Sequence, residues 1–252
     1  MLYEPLTNRE LTSLRSAARI AAATLQLMIE AAKPGVSTLE LDEIAGRYMR
    51  SESAESAPAK AYGFPGFTCI SISPVAAHGI PDAGVVLQPG MLVNFDVSVV
   101  FEGMFADNGA SICIAPAPLK LRGLVSTARA ARDAAIEIIA PGVAVRSLGV
   151  AANNVAQQND LRIVKSLVSH GVGRSLHAYP GNIHNYPRDQ ERRRIKEGWV
   201  LAIEPFVTSG DGEIVELEDT WSLETEDRAP VAQFEHTVLV TKGGHEILTI
   251  PG

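Results

Sequence analysis

The sequence predicts a single α/β domain spanning residues 1–252 and built from two related halves. Three observations predict it. An Ala-rich helical stretch ends at Pro-Gly twice, at Pro34 and again 107 positions later at Pro141 (141 − 34). Each helical unit is followed by segments whose apolar residues alternate with period two, as half-buried strands do. No low-complexity stretch or Pro/Ser-rich linker divides the chain.

In order, residues 8–33 are rich in Ala, Leu, Ile and Met, interrupted by Arg15, Arg19, Gln26 and Glu30, the pattern of an amphipathic helix. Pro34-Gly35 stops it. Ser37-Thr38, with Glu40 and Leu41 after them, caps a second helix running to about Met49. The strands predicted next are 91–100 and 104–115, with Glu102-Gly103 turning between them. The second half repeats the plan: a helix over 121–140, Pro141-Gly142-Val143, a helix over 147–158, and a strand over 231–241. A period this long excludes a solenoid and points to duplicated halves.

Composition narrows the function classes. A chain of 252 residues with 46% hydrophobic content can bury an enzyme-sized core. A net charge of −7 gives no overall field for nucleic acid or an anionic membrane. The basic cluster from Arg188 to Lys196 is interleaved with Asp189 and Glu191, so it reads as a solvated mixed patch. Cys69 and Cys113 are too few for a disulfide scaffold and favour a reducing, cytoplasmic setting. No apolar run reaches membrane-spanning length and no basic segment precedes one, so a soluble protein without a signal peptide is expected.

Four acids sit where strands should be apolar. In 91–100 the odd positions are apolar while Asn94, Asp96 and Ser98 share the other face, although Asp is disfavoured in strands. A hairpin turning near 101–103 pairs residues whose numbers sum to 203 or 205, so Asp96 and Asp107 become direct or diagonal neighbours. Like charges so close repel unless a cation lies between them. Glu204 follows the apolar run 199–203, and Glu235 lies inside the strand at 231–241. His170 precedes Gly171-Val172-Gly173, a strand end with little crowding. Two Asp, two Glu and one His suit Mn, Fe, Co or Zn, and four carboxylates balance two divalent ions.

The motifs His78-Gly79-Ile80-Pro81, Asn94-Phe95-Asp96-Val97, Asp107, Ser169-His170-Gly171-Val172-Gly173, Ile203-Glu204-Pro205 and Gln233-Phe234-Glu235-His236-Thr237 resemble, in order and spacing, those of type I methionine aminopeptidases. The resemblance implies the pita-bread fold, two pseudo-symmetric halves around a curved antiparallel sheet. It implies a dinuclear metal site, with Asp96 on one ion, His170 and Glu204 on the other, and Asp107 and Glu235 bridging. Hydroxide held between the ions would attack the scissile carbonyl. Glu204 resembles the proton shuttle, His177 the histidine that steadies the carbonyl oxygen, and His78 the one facing the substrate's amine. Cys69, Phe64 and Trp221 match the pocket for the first side chain, which in that family is Met. The implied partners are peptide or nascent-chain N-termini and the ribosome presenting them, and the implied state is a monomer.

The chain departs from the family's usual residues at Asn108-Gly109, expected to loosen support behind Asp107, and at Ala61, Leu176 and Phe206, expected to reshape the pocket. Aminopeptidases of X-Pro type and non-catalytic binding paralogues share the fold and stand as alternatives.

Overall fold

The structure, a computed structural model, describes residues 4–250. Its helices are α1 (Asn8–Ala31), α2 (Thr38–Ser51), α3 (Ala57–Tyr62), α4 (Leu119–Glu137) and α5 (Val145–Gln158). Its strands are β1 (Glu55–Ser56), β2 (Cys69–Ile72), β3 (Val75–Ala77), β4 (Leu92–Phe101), β5 (Met104–Cys113), β6 (Arg162–Ile163) and β7 (Ser169–Gly171), followed by β8 (Ala178–Ile183), β9 (Val200–Ile203), β10 (Phe206–Thr208), β11 (Ile214–Glu216), β12 (Leu223–Thr225), β13 (Val231–Thr241) and β14 (Gly244–Ile247). Eleven strands among the described residues form one antiparallel sheet whose main path runs β1-β4-β5-β13-β9-β7-β8. A small second sheet holds β11, β12 and β3.

Local chemistry explains the helix starts. Thr7 and Ser37 each accept from the backbone three residues on, while Glu10 and Glu40 reach back to complete capping boxes. α4 and α5 begin at Pro118 and Ala144, which have no side-chain cap, and both start two residues before their expected positions. α1 packs on β4 and β5, and α4 packs on α5 and β13, so helices cover one side of the sheet. The main core lies between, with Phe95, Trp199, Leu201 and Ile203 fully buried.

The duplicated halves are visible in the hydrogen bonds. Gly35 donates to Leu87 O and Leu87 to Val36 O, while Gly142 donates to Ile195 O and Ile195 to Val143 O. Ser37 bridges Val86 just before α2, and Ala144 bridges Arg194 just before α5. Farther on, Gly90 donates to Ile114 O as Gly198 donates to Val240 O. Adding this offset of 108 (198 − 90) to Asp96 gives 204, so Asp96 and Glu204 occupy equivalent places in the two halves.

Candidate active site

The β4–β5 hairpin sets the first pair of acids. Its register places Asp96 opposite Gly109 and Ser98 opposite Asp107, a sum of 205, which makes the two aspartates diagonal neighbours on one face. β13 adds Glu235 beside Gly109, and β9 ends at Ile203 so that Glu204 turns inward after it. His170 sits mid-strand in β7, paired with Ala202 of β9. Gly171 serves a close approach rather than flexibility, because a Cβ there would lie 2.3 Å from Tyr179 O on β8.

Each charged group has defined support. Asp107, 5% exposed, accepts from Ser98 Oγ at 2.7 Å and from its neighbour's amide, Asn108 N, at 3.1 Å. Its own amide donates to Thr237 Oγ1 at 2.8 Å. Gln233 Nε2 donates to Glu235 Oε2 at 3.1 Å while its Oε1 accepts from Asn94 Nδ2 at 2.8 Å. Gly109 is what makes room for this glutamine, since a Cβ there would meet Gln233 Oε1 at 2.5 Å. Gly109 of the Asn108-Gly109 departure therefore accommodates a supporting side chain, while buried Asn108 Oδ1 accepts no hydrogen bond among the described residues. Glu204 N donates to Ser169 Oγ at 2.9 Å, which fixes the turn after β9. His170 Nδ1 faces Gly171 O at 2.9 Å, so Nδ1 carries the proton and Nε2 points at Glu204 (3.3 Å) and Asp107 (3.9 Å).

Ligand atoms of Asp107, His170 and Glu235 lie within 4.8 Å of one another, all buried. Asp96 and Glu204 flank this trio and line the same cavity as Asp107 and His170. Burial pushes Asp96 and Glu235 well above the usual carboxylate range, and the neighbouring carboxylates push both the same way. Burial also raises Glu204, against the opposing pull of His170. For His170, burial opposes the charge, but Glu204 and Asp107 outweigh it and lift its pKa to about 9. Among the described residues, buried Asp96 Oδ1 and Glu235 Oε1 accept no hydrogen bond. Oxygens left bare in a nest of repelling acids, beside an imidazole nitrogen facing them, fit divalent cations.

The cavity, of about 240 Å³, extends from these acids to an apolar wall. Phe64 and Trp221 meet edge to face at 5.2 Å between centroids, and buried Cys69 lies opposite Asp96 in register. Leu176 and Phe206 line it too. His78 stands at the rim in the left-handed region at φ +56°, a conformation uncommon for a non-glycine residue and frequent at functional sites. His177 also reaches the rim, its ring 4.3 Å from that of His170. The walls that desolvate it, and then the charge of His170, hold its pKa down to about 4.

One sequence reading changes here. Ala61 is exposed and does not line the cavity; the next residue, Tyr62, does. His184 and His245 lie away from the cavity and are half-buried, with His184 against Tyr186 and Arg188 and His245 Nδ1 against Ile139 O. His236 sits opposite the acids' face with Nδ1 2.9 Å from Thr249 Oγ1.

Sheet, acids and imidazole together form a cluster able to hold metal, and the sequence matches metallopeptidase family M24 over residues 12–242: the chain belongs to that family. It is 41% identical to a methionine aminopeptidase of Staphylococcus epidermidis over 245 residues, covering 96% of this chain and 97% of the relative. It is 38% identical to methionine aminopeptidase 2 of Bacillus subtilis over 242 residues, with coverage of 96% and 97%. The crystal structure of methionine aminopeptidase from Rickettsia prowazekii superposes with a TM-score of 0.94 at 32% identity, covering 99% of this chain and 100% of that one. A prolidase from Pyrococcus furiosus shares the fold at TM-score 0.76 and 21% identity, with 98% of this chain matching 66% of the other. The fold is the pita-bread fold. No helix among the described residues is long and apolar enough to cross a membrane.

Proposed function

We propose that this chain is a metal-dependent methionine aminopeptidase, a single catalytic domain that removes the first residue from the N-termini of peptides and nascent proteins. One observation carries the reading: a single cavity joins the acid and histidine cluster to an apolar wall that includes Cys69, Phe64 and Trp221.

Asp96, Asp107, His170, Glu204 and Glu235 would hold two divalent ions, drawn from Mn, Fe, Co and Zn. Bound there, the ions supply Lewis acidity that acidifies water and polarises the scissile carbonyl. Glu204, half-buried at the edge of the cluster, takes up the proton lost by the attacking water and passes it to the leaving amine. His177, at the rim beside His170, donates to the carbonyl oxygen as negative charge grows on it. His78, which also lines the cavity, faces the substrate's amine and first peptide unit. Cys69, Phe64 and Trp221 receive the first side chain, a setting that favours a polarisable thioether. Both cysteines are free, in keeping with a cytoplasmic enzyme, working as a monomer on chains emerging from the ribosome.

Phe206 and Leu176 favour a broadened version of this specificity, because both line the cavity, and Phe206 adds bulk at one place while Leu176 removes aromatic bulk at another. An apolar pocket separates side chains differing by a methylene by only ~1–3 kcal/mol. The test is kcat/KM with Met, norleucine, Leu and Ala at the first position of otherwise identical peptides, alongside an X-Pro series. Met should lead, with norleucine and Leu within roughly 10- to 200-fold of it. A several-thousandfold margin over Leu would show that Phe206 and Leu176 leave selectivity untouched. Faster turnover of the X-Pro series would move the protein to another branch of the fold.

A further inference from the structure

Tyr62 lines the cavity and reaches the rim histidine His177 from a separate element. It is the last residue of the six-residue helix α3, which ends at Gly63 in the left-handed conformation at φ +75°. Its hydroxyl lies 2.5 Å from His177 Nδ1, and the two rings are 5.6 Å apart at 47°. On its other side the His177 ring is 4.3 Å from His170. His177 is thus held between Tyr62 and His170.

We propose that Tyr62 is a positioning residue that selects the working tautomer of His177. The inference rests on the reading of His177 as the donor to the scissile carbonyl. A neutral imidazole carries one proton, and its two nitrogens cannot both donate. A phenol is a good donor and an imidazole nitrogen a good acceptor, so the Tyr62 hydroxyl donates to Nδ1 and leaves the proton on Nε2. That nitrogen is the one still free to point at a substrate oxygen. With the proton on Nδ1 instead, Nε2 would offer a lone pair to the carbonyl oxygen, and the two would repel.

The surroundings show why Tyr62 can hold this place. Ser56 caps α3 by accepting from Ala59 N, and its hydroxyl donates to Phe67 O at 2.8 Å. Lys60 of α3 pairs with Glu55 of β1 at 2.6 Å. The helix is therefore fastened to the segment leading into Cys69. Tyr62 itself is 52% exposed, so its hydroxyl answers no need of the core and its removal leaves folding intact.

The experiment compares wild type, Tyr62→Phe and His177→Ala in the zinc-loaded, diamagnetic protein at neutral pH. Ring-nitrogen NMR shifts report which His177 nitrogen carries the proton, with the His177 signals identified by their loss in His177→Ala. Wild type should show a bare Nδ1 and a protonated Nε2. Tyr62→Phe should populate the Nδ1-protonated form and lower kcat by about 2- to 10-fold, the effect of one lost hydrogen bond, with KM unchanged. An unchanged tautomer in Tyr62→Phe would overturn the proposal, and so would a raised KM with kcat intact, which would make Tyr62 a substrate contact. An unchanged kcat in His177→Ala would instead defeat the reading of His177 itself, whatever Tyr62→Phe does to the tautomer.

Discussion

Asp107 and His177 border the same cavity and should fail in different ways. Asp107 is buried, braced by Ser98 and Thr237, and grouped with His170 and Glu235. Replacing it by Ala removes a ligand of the proposed metal site and takes the acceptor from Ser98 Oγ, while the Thr237 contacts to the Asp107 backbone remain, so metal occupancy and rate should fall together. His177 is at the rim and outside that group, so His177→Ala should keep its metal and lose roughly 10²- to 10³-fold in kcat, the usual cost of a lost donor to a developing oxyanion. Metal stoichiometry and kcat measured on both variants decide it; a His177→Ala protein with lowered occupancy would make His177 part of the metal site. The sequence exposed the acids because a carboxylate amid apolar alternation is costly without a purpose, as at Asp96 and Glu235. It did not expose Tyr62, whose partner lies 115 positions away and whose short helix has no periodicity to read.

Elements were legible wherever local chemistry writes their ends. The Ser37 and Glu40 capping box marked α2, and Glu102-Gly103 marked the hairpin whose register then placed Asp96 and Asp107. α4 and α5 started earlier than expected because nothing at Pro118 or Ala144 signals a cap. Long-range ties between elements left no mark in the sequence either. Asp42 of α2 is one: it accepts from Phe67 N, Thr68 N and Thr68 Oγ1, with distances from 2.8 to 3.1 Å, and so anchors the segment entering Cys69. Asp42→Ala would strand those buried donors, costing about 2–4 kcal/mol, and should also raise KM by disturbing the Cys69 wall; an unchanged melting temperature would refute this. Glu10 of α1 is another, paired with Arg174 at 2.6 Å just beyond the His170 strand. The Arg174 guanidinium, and then the Thr7 amide, lower its pKa from 4.5 to about 2. A depressed folded pKa gives stability that is complete above the unfolded value and lost as pH falls through the folded one. The melting-temperature gap between wild type and Glu10→Gln should therefore be constant above about pH 5 and close between pH 4.5 and 2. As an exposed pair it should contribute no more than about 1 kcal/mol, and a gap that widens in acid would contradict the assignment.

At the scale of the whole molecule, the duplication explains why the acids meet. The two halves present equivalent strands, and residues 108 apart, Asp96 of β4 and Glu204 after β9, bring their carboxylates in from the strands that flank β5 and β13, which carry Asp107 and Glu235. Pro34-Gly35 and Pro141-Gly142 announced that symmetry, but only the hydrogen bonds show that it extends to the strands. The cost of such convergence is a folded state containing buried like charges, with Asp96 Oδ1 and Glu235 Oε1 lacking any donor among the described residues. Cations binding only the folded arrangement would offset that cost, so metal and fold would be linked. At a hundredfold excess over its dissociation constant, one ion adds about 2.7 kcal/mol of stability. For a chain of this size that is about 5–10 °C in melting temperature. Excess chelator should abolish turnover and lower the melting temperature by at least this much, and readdition of Mn, Fe, Co or Zn should restore both. The fall must involve the cluster itself, so Glu235→Gln, which keeps the shape and removes one of the charges, should melt closer to its own chelated form than wild type does. Full turnover and an unshifted melting temperature in chelator, with no metal found by elemental analysis, would separate the activity from the acids and leave their convergence without a cause.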